Sequence, residues 1–109
     1  MDIKIKQPLE KDIQNACCEY LVLKKYYIHR ANNIPIFNKS LGIFRSMPKY
    51  AKKGFPDIVV LCEKGTVYLE IKRPGGKLSE DQIVFQKVCQ KFNIPYYMIT
   101  SVDELVKIL

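Results

Sequence analysis

No stretch of the 109 residues approaches the roughly 20 consecutive apolar residues that a membrane-spanning helix requires. The first residues, Met1-Asp2-Ile3-Lys4-Ile5-Lys6, alternate charged with apolar side chains and lack the apolar core and small-residue cleavage site of a secretory signal, so a cytosolic protein is expected. The four cysteines, Cys17, Cys18, Cys62 and Cys89, contain no C-x-x-C pair, which argues against a zinc or iron–sulfur centre and for reduced thiols packed as small hydrophobes. Histidine occurs once, as His29, so no histidine-based catalysis is expected and His29 is assigned a structural place. Internal repeats and low-complexity tracts are absent. Acidic residues are outnumbered 11 to 18 by basic ones, and the resulting formal charge of +7 fits a polyanionic partner, nucleic acid or an acidic surface alike.

What is present suits one globular domain spanning residues 1–109. Hydrophobic residues make up 48% and charged ones 27%, enough for one core at this length and too much for a disordered chain. Leu9, Ile13, Ala16, Cys17, Tyr20 and Leu21 recur at helical spacing, predicting a helix from about Pro8 to Lys25. Tyr26 to Ala31 reads as a strand. From Asn32 to Phe55 the sequence is irregular, a basic loop with room for one short strand, and Lys39, Arg45, Lys49, Lys52 and Lys53 occur in it with no acidic residue between them.

Asp57 to Cys62 is a short apolar run of the kind buried on both faces, and Glu63-Lys64-Gly65 turns it into a second strand, Thr66 to Lys72. That second strand alternates: Val67, Leu69 and Ile71 point one way, Tyr68, Glu70 and Lys72 the other. Arg73 to Lys77 makes a turn. Ser79 with Gln82 forms a capping box opening a helix to about Phe92, with Val84, Phe85, Val88, Cys89 and Phe92 as its expected buried stripe. Tyr96 to Thr100 is the last strand, and Ser101 with Glu104 is a second capping box before a short terminal helix. The fold expected is α/β, a mixed central sheet flanked by helices in the order αβββαβα.

Three charged groups converge in this plan. Asp57 enters the first strand of the hairpin, and Glu70 and Lys72 leave the second on one face, roughly 6 to 7 Å apart. Two carboxylates suit Mg²⁺, a hard ion that keeps several waters and binds phosphate oxygens, with the Ile71 carbonyl as a further candidate ligand. Lys72 is placed to orient an attacking water or to offset charge on a phosphate.

The strings Gly54-Phe55-Pro56-Asp57 and Tyr68-Leu69-Glu70-Ile71-Lys72-Arg73-Pro74-Gly75-Gly76-Lys77-Leu78-Ser79-Glu80-Asp81-Gln82 resemble the VRR-NUC family of the PD-(D/E)xK nuclease superfamily, and the likeness extends thinly over nearly all the chain. The resemblance implies a metal-dependent phosphodiesterase acting on DNA, with Asp57 and Glu70 as metal ligands, Lys72 as the catalytic lysine and Gln82 in the site. It also implies a glutamate on the first helix. Glu10 lies near the edge of that helix's apolar stripe and Glu19 on the far side, so Glu10 is assigned to the site and to the metal. Family analogy further implies a structure-selective endonuclease on branched or Holliday junction DNA, Mg²⁺ as cofactor with Mn²⁺ able to substitute, and a homodimer suited to paired cuts. Arg30, Lys39, Arg45, Lys49, Lys52, Lys53, Arg73 and Lys77 are the expected DNA contacts.

Plainer readings compete with these. Gln82 is accounted for by the capping box alone, and Glu10 by the preference for acidic residues in a first helical turn. A nuclease for flaps, nicks or ordinary duplex would use the same triad. A DNA-binding module without catalysis is the alternative from another class, and the chemically competent residue at each of the three charged positions argues against it.

Overall fold

Helix α1 (Glu10–Leu23) opens a chain that continues through β1 (Tyr27–Arg30), β2 (Phe37–Asn38), β3 (Ile43–Phe44), β4 (Ile58–Cys62), β5 (Gly65–Ile71), α2 (Glu80–Lys91), β6 (Tyr96–Ile99) and α3 (Val102–Ile108). The computed structural model describes residues 8–31, 37–38, 43–44 and 49–109. Four strands form the main sheet in the order β1-β4-β5-β6, antiparallel except for the β5–β6 pair, which is parallel because α2 carries the chain back to the same end. The expected mixed sheet and element order are present. The stretch expected to hold at most one short strand contains two, β2 and β3, which pair with each other as a separate antiparallel ribbon.

Helix ends follow from local chemistry. Lys25 adopts φ 65° after α1, and its N–H and that of Tyr26 bond back to Val22 and Leu21, closing the orphan carbonyls of the last turn. Asn93 does the same after α2 at φ 56°, with Ile94 N–H on the Cys89 carbonyl at 2.8 Å. The Ser79 capping box is complete, both reciprocal bonds being made. The second expected box is only half present. Ser101 Oγ accepts from Glu104 N–H, but the Glu104 carboxylate accepts from the Thr100 hydroxyl, so it does not turn back to its own N-cap.

Strand alternation divides the sheet into two unlike faces. Val67, Leu69 and Ile71 of β5, with Ile58 and Val60 opposite them on β4, meet Ile13, Cys17 and Leu21 of α1 and Leu105 of α3 in the aliphatic core. Each fully buried Leu or Ile contributes on the order of 1.5–3 kcal/mol. The other face carries Tyr68, Glu70 and Tyr96 beneath α2, where Phe85 packs edge-on to Tyr68 at 5.2 Å and to Phe55 at 5.4 Å.

Two burial expectations fail here. The stripe assigned to α2 is rotated: Cys89 is its buried residue and Phe85 is half-buried, while Val84 at 61% exposure, Val88 and Phe92 face outward. The polar anchor Gln82 selects which side of α2 meets the sheet, a preference that apolar spacing does not contain. Nor is β4 buried on both faces. Leu61 is 47% exposed and pairs with the still more open Tyr27 of the edge strand β1.

Candidate active site

The register that pairs Ile58 with Leu69 sets Asp57, one residue further, opposite Glu70. Asp57 bonds to the strands on either side: its side-chain Oδ2 accepts the Ile71 N–H at 2.8 Å, and its backbone carbonyl accepts the Ala31 N–H at 2.8 Å. Asp57 is thereby fixed to both neighbouring strands. The preceding turn is fixed just as closely. Gly54 sits at φ 82°, and a Cβ there would fall 2.5 Å from the Asp81 carbonyl carbon, so only glycine lets this segment lie against the first turn of α2.

Glu70 is 2% exposed. Its Oε1 accepts from Gln82 Nε2 at 2.8 Å and lies 3.9 Å from Lys72 Nζ. Gln82 reaches it in one orientation only, because the amide oxygen is taken by the Ser79 N–H at 2.8 Å and the NH₂ end is left to donate. One side chain thus both caps α2 and bonds Glu70.

The second carboxylate oxygen, Oε2, is buried with no hydrogen-bond partner. Burial above all, then the Asp57 carboxylate, push the Glu70 pKa up to about 8; Lys72 pulls it down, and Glu10 adds a smaller push upward. Two ionised carboxylates offer each other no donor, whereas a proton on Glu70 gives the pair one to share. With Glu70 ionised beside Asp57, the pair carries more negative charge than the Lys72 ammonium balances. A divalent cation fits that imbalance and the unpartnered oxygen, with Asp57 and Glu70 as the residues able to hold it.

Glu10, the first residue of α1, is half-buried and close enough for its charge to act on Glu70. It does not complete a ligand set: among the described residues no group of three or more His, Cys, Asp or Glu is gathered to hold a metal. The Ile71 contact is through its N–H, which serves Asp57. Lys49, Lys52 and Lys53 are exposed in the segment entering Gly54, and Arg73 and Lys77 are exposed in the turn leaving β5. Arg30, also exposed, donates to Asn15 Oδ1 at 2.6 Å at the end of β1. Lys39 and Arg45 lie outside the described residues.

Tyr96 is not among the residues the sequence singles out, yet its hydroxyl is buried without a partner and its pKa is raised by burial first and by Glu70 second. Parallel pairing puts it beside Tyr68 on the Glu70 face. A tyrosine in a terminal strand carries no local signal of this, since its neighbours come from β5 and α2. Ser79 is legible as a cap, but its link to Glu70 through Gln82, and the seating of Gly54 against the first turn of α2, depend on the α2–sheet packing.

No helix among the described residues is long and apolar enough to cross a membrane. Compared with families of known proteins, the chain matches the VRR-NUC domain over residues 10–103. Comparison with curated proteins finds no match.

Proposed function

The chain belongs to the VRR-NUC domain family, a nuclease-like domain acting on DNA, and on that premise we propose that it is a metal-dependent endonuclease whose site is Asp57, Glu70, Lys72 and Gln82. The observation that carries this reading is the buried, undercompensated Glu70 carboxylate facing Asp57. Holding Glu70 ionised at this depth beside Asp57 is unfavourable unless a cation offsets it. A divalent ion, Mg²⁺ or Mn²⁺, would restore the balance.

In this proposal Asp57 and Glu70 would hold the ion, with the Ile71 carbonyl and Glu10 as the further donors that a bound ion would have to draw in. The chemistry such an ion would supply is polarisation of the phosphodiester and a lowered pKa for the attacking water. Gln82 holds Glu70 through Oε1, so Oε2 is the oxygen that would be offered to an ion. Lys72, as an ammonium, orients the attacking water and offsets charge developing on the phosphate. The exposed Lys49, Lys52, Lys53, Arg73 and Lys77 supply backbone contacts to DNA, with Lys39, Arg45 and Arg30 as further members of that set. Branched DNA is the proposed preference, with a homodimer delivering paired cuts; both rest on family analogy.

Cleavage of labelled four-way junction, flap and linear duplex, each with Mg²⁺, Mn²⁺ or EDTA, tests the proposal. Metal-dependent cutting that disappears in Asp57→Ala and Glu70→Ala supports the nuclease. Salt-sensitive binding with no cutting of any substrate would leave a DNA-binding module.

A further inference from the structure

Glu70 lies on β5 between two neighbours, with Asp57 at the entrance of β4 on one side and β6 on the other. The β6 residue directly beside it is Met98, whose side chain has no hydrogen to donate. One rung back on the same face, Tyr96 stands beside Tyr68. Rungs on one face repeat about every 6 to 7 Å, a diagonal that a side chain as long as tyrosine can span.

No step of the proposed chemistry uses Tyr96. Yet its hydroxyl and Glu70 Oε2 are the two buried side-chain atoms without a hydrogen-bond partner among the described residues. One can donate and the other can accept, and each is unfavourable left dry and alone. Burial first and the Glu70 charge second hold the Tyr96 pKa above the usual tyrosine value, so the phenol keeps its proton and remains a donor. Cys89 and Asp57 act on it more weakly. The ring itself is held from above by Phe85 of α2, with ring centres 6.0 Å apart. On the carboxylate, Oε1 is taken by Gln82 Nε2, which leaves Oε2 as the open acceptor. A carboxylate oxygen has two lone-pair positions, enough for one O–H and one ion.

We propose that Tyr96 is a positioning residue for Glu70, its hydroxyl donating to Oε2 as the Gln82 amide donates to Oε1. The two atoms are not bonded to each other as the side chains stand, and a turn of the Glu70 carboxyl group toward the held ring closes the bond. Fixed from α2 by Gln82 and from β6 by Tyr96, the carboxylate then keeps one free direction, toward Asp57. The consequence for an ion held between Asp57 and Glu70 rests on the metal-dependent reading of the site; the bond itself does not.

Tyr96→Phe keeps the ring and removes one oxygen, so thermal melts of the full-length chain in EDTA at pH 9 give opposite signs for the two cases. A hydroxyl bonded to Glu70 is lost at a cost, and the melting temperature falls by about 5 °C. An orphan hydroxyl is better removed, and an unchanged or higher melting temperature overturns the proposal. In a Glu70→Leu background the same substitution is expected to leave the melting temperature where it was; a fall of the same size there assigns the hydroxyl to another partner and overturns the proposal as well. Calorimetric titration with Mg²⁺ needs only the single variant. The Mg²⁺ Kd rises about tenfold in Tyr96→Phe while the KM for DNA is unchanged. An unchanged Mg²⁺ Kd overturns the positioning role. A wild type that binds no Mg²⁺ defeats the metal-dependent reading instead, and the melts then decide Tyr96.

Discussion

Gln82 Nε2 donates to Glu70 Oε1 across 2.8 Å while the other end of the same amide is locked to its helix N-cap. A metal-ligand candidate on a strand is thus held by a capping residue on a helix, and the docking of α2 and the geometry of the site become one event. The bond also gives this buried carboxyl group a partner for Oε1, one that becomes charge-assisted when Glu70 ionises.

Replacing Gln82 with Ala removes both bonds and is expected to cost about 1–3 kcal/mol in urea unfolding. Ser79→Ala removes only the cap and costs about 1 kcal/mol. Equal losses in the two variants would mean that the Glu70 contact contributes nothing to stability.

Stability falls as pH rises across the range in which Glu70 ionises. Its folded pKa, about 8, lies above the ordinary value of 4.5, so the folded state holds a proton that the unfolded state has released. This contribution is fully present below about 4.5, shrinks through the interval and is gone above about 8. Its slope approaches 1.4 kcal/mol per pH unit at most. Glu70→Gln cannot lose that proton, so its stability–pH profile is flatter than the wild type's over the same interval, as thermal melts from pH 5 to 9 would register.

Saturating Mg²⁺ at pH 8 to 9 raises the melting temperature of the wild type and not of Glu70→Ala. At a hundredfold excess over the dissociation constant the gain is about 2.7 kcal/mol. The gain shrinks at pH 6, where the proton competes for Glu70. A melting temperature indifferent to Mg²⁺ at every pH would remove the metal from the proposal.

Gly54→Ala is expected to destabilise by about 2 kcal/mol, because the added methyl meets the backbone of Asp81 and the residue must keep a positive φ. Its effect on metal-dependent cleavage should exceed that of Val84→Ala on the exposed side of the same helix. Comparable activity in the two would show that the Gly54–α2 contact does not govern the site.

Much of this arrangement is legible in the sequence. The period-two alternation of Val67 to Lys72 decides which side chains share a face, and the Ser79–Gln82 spacing locates the start of α2 to the residue. The rotation of α2 is not legible: Val84, Val88 and Phe92 make as good an apolar stripe as the side that is buried. Only the Gln82–Glu70 bond and the ring cluster of Phe55, Tyr68 and Phe85 decide between them, and these join residues distant in sequence. The exposure of Leu61 escapes for a related reason, since an apolar run does not say how far a roofing helix extends. Glu10 is chosen by helical phase, which gives a direction but no distance to the carboxylates.

The strand order carries a kinetic corollary. The β4–β5 hairpin closes over two residues, so Asp57 and Glu70 come together early in folding, when both are still hydrated and their mutual repulsion is weak. Helix α2 and the parallel strand β6 arrive by a longer crossover, and their docking strips water from Glu70. If that docking carries the electrostatic cost of Glu70, refolding above pH 8 is expected to be faster in Mg²⁺ than in EDTA.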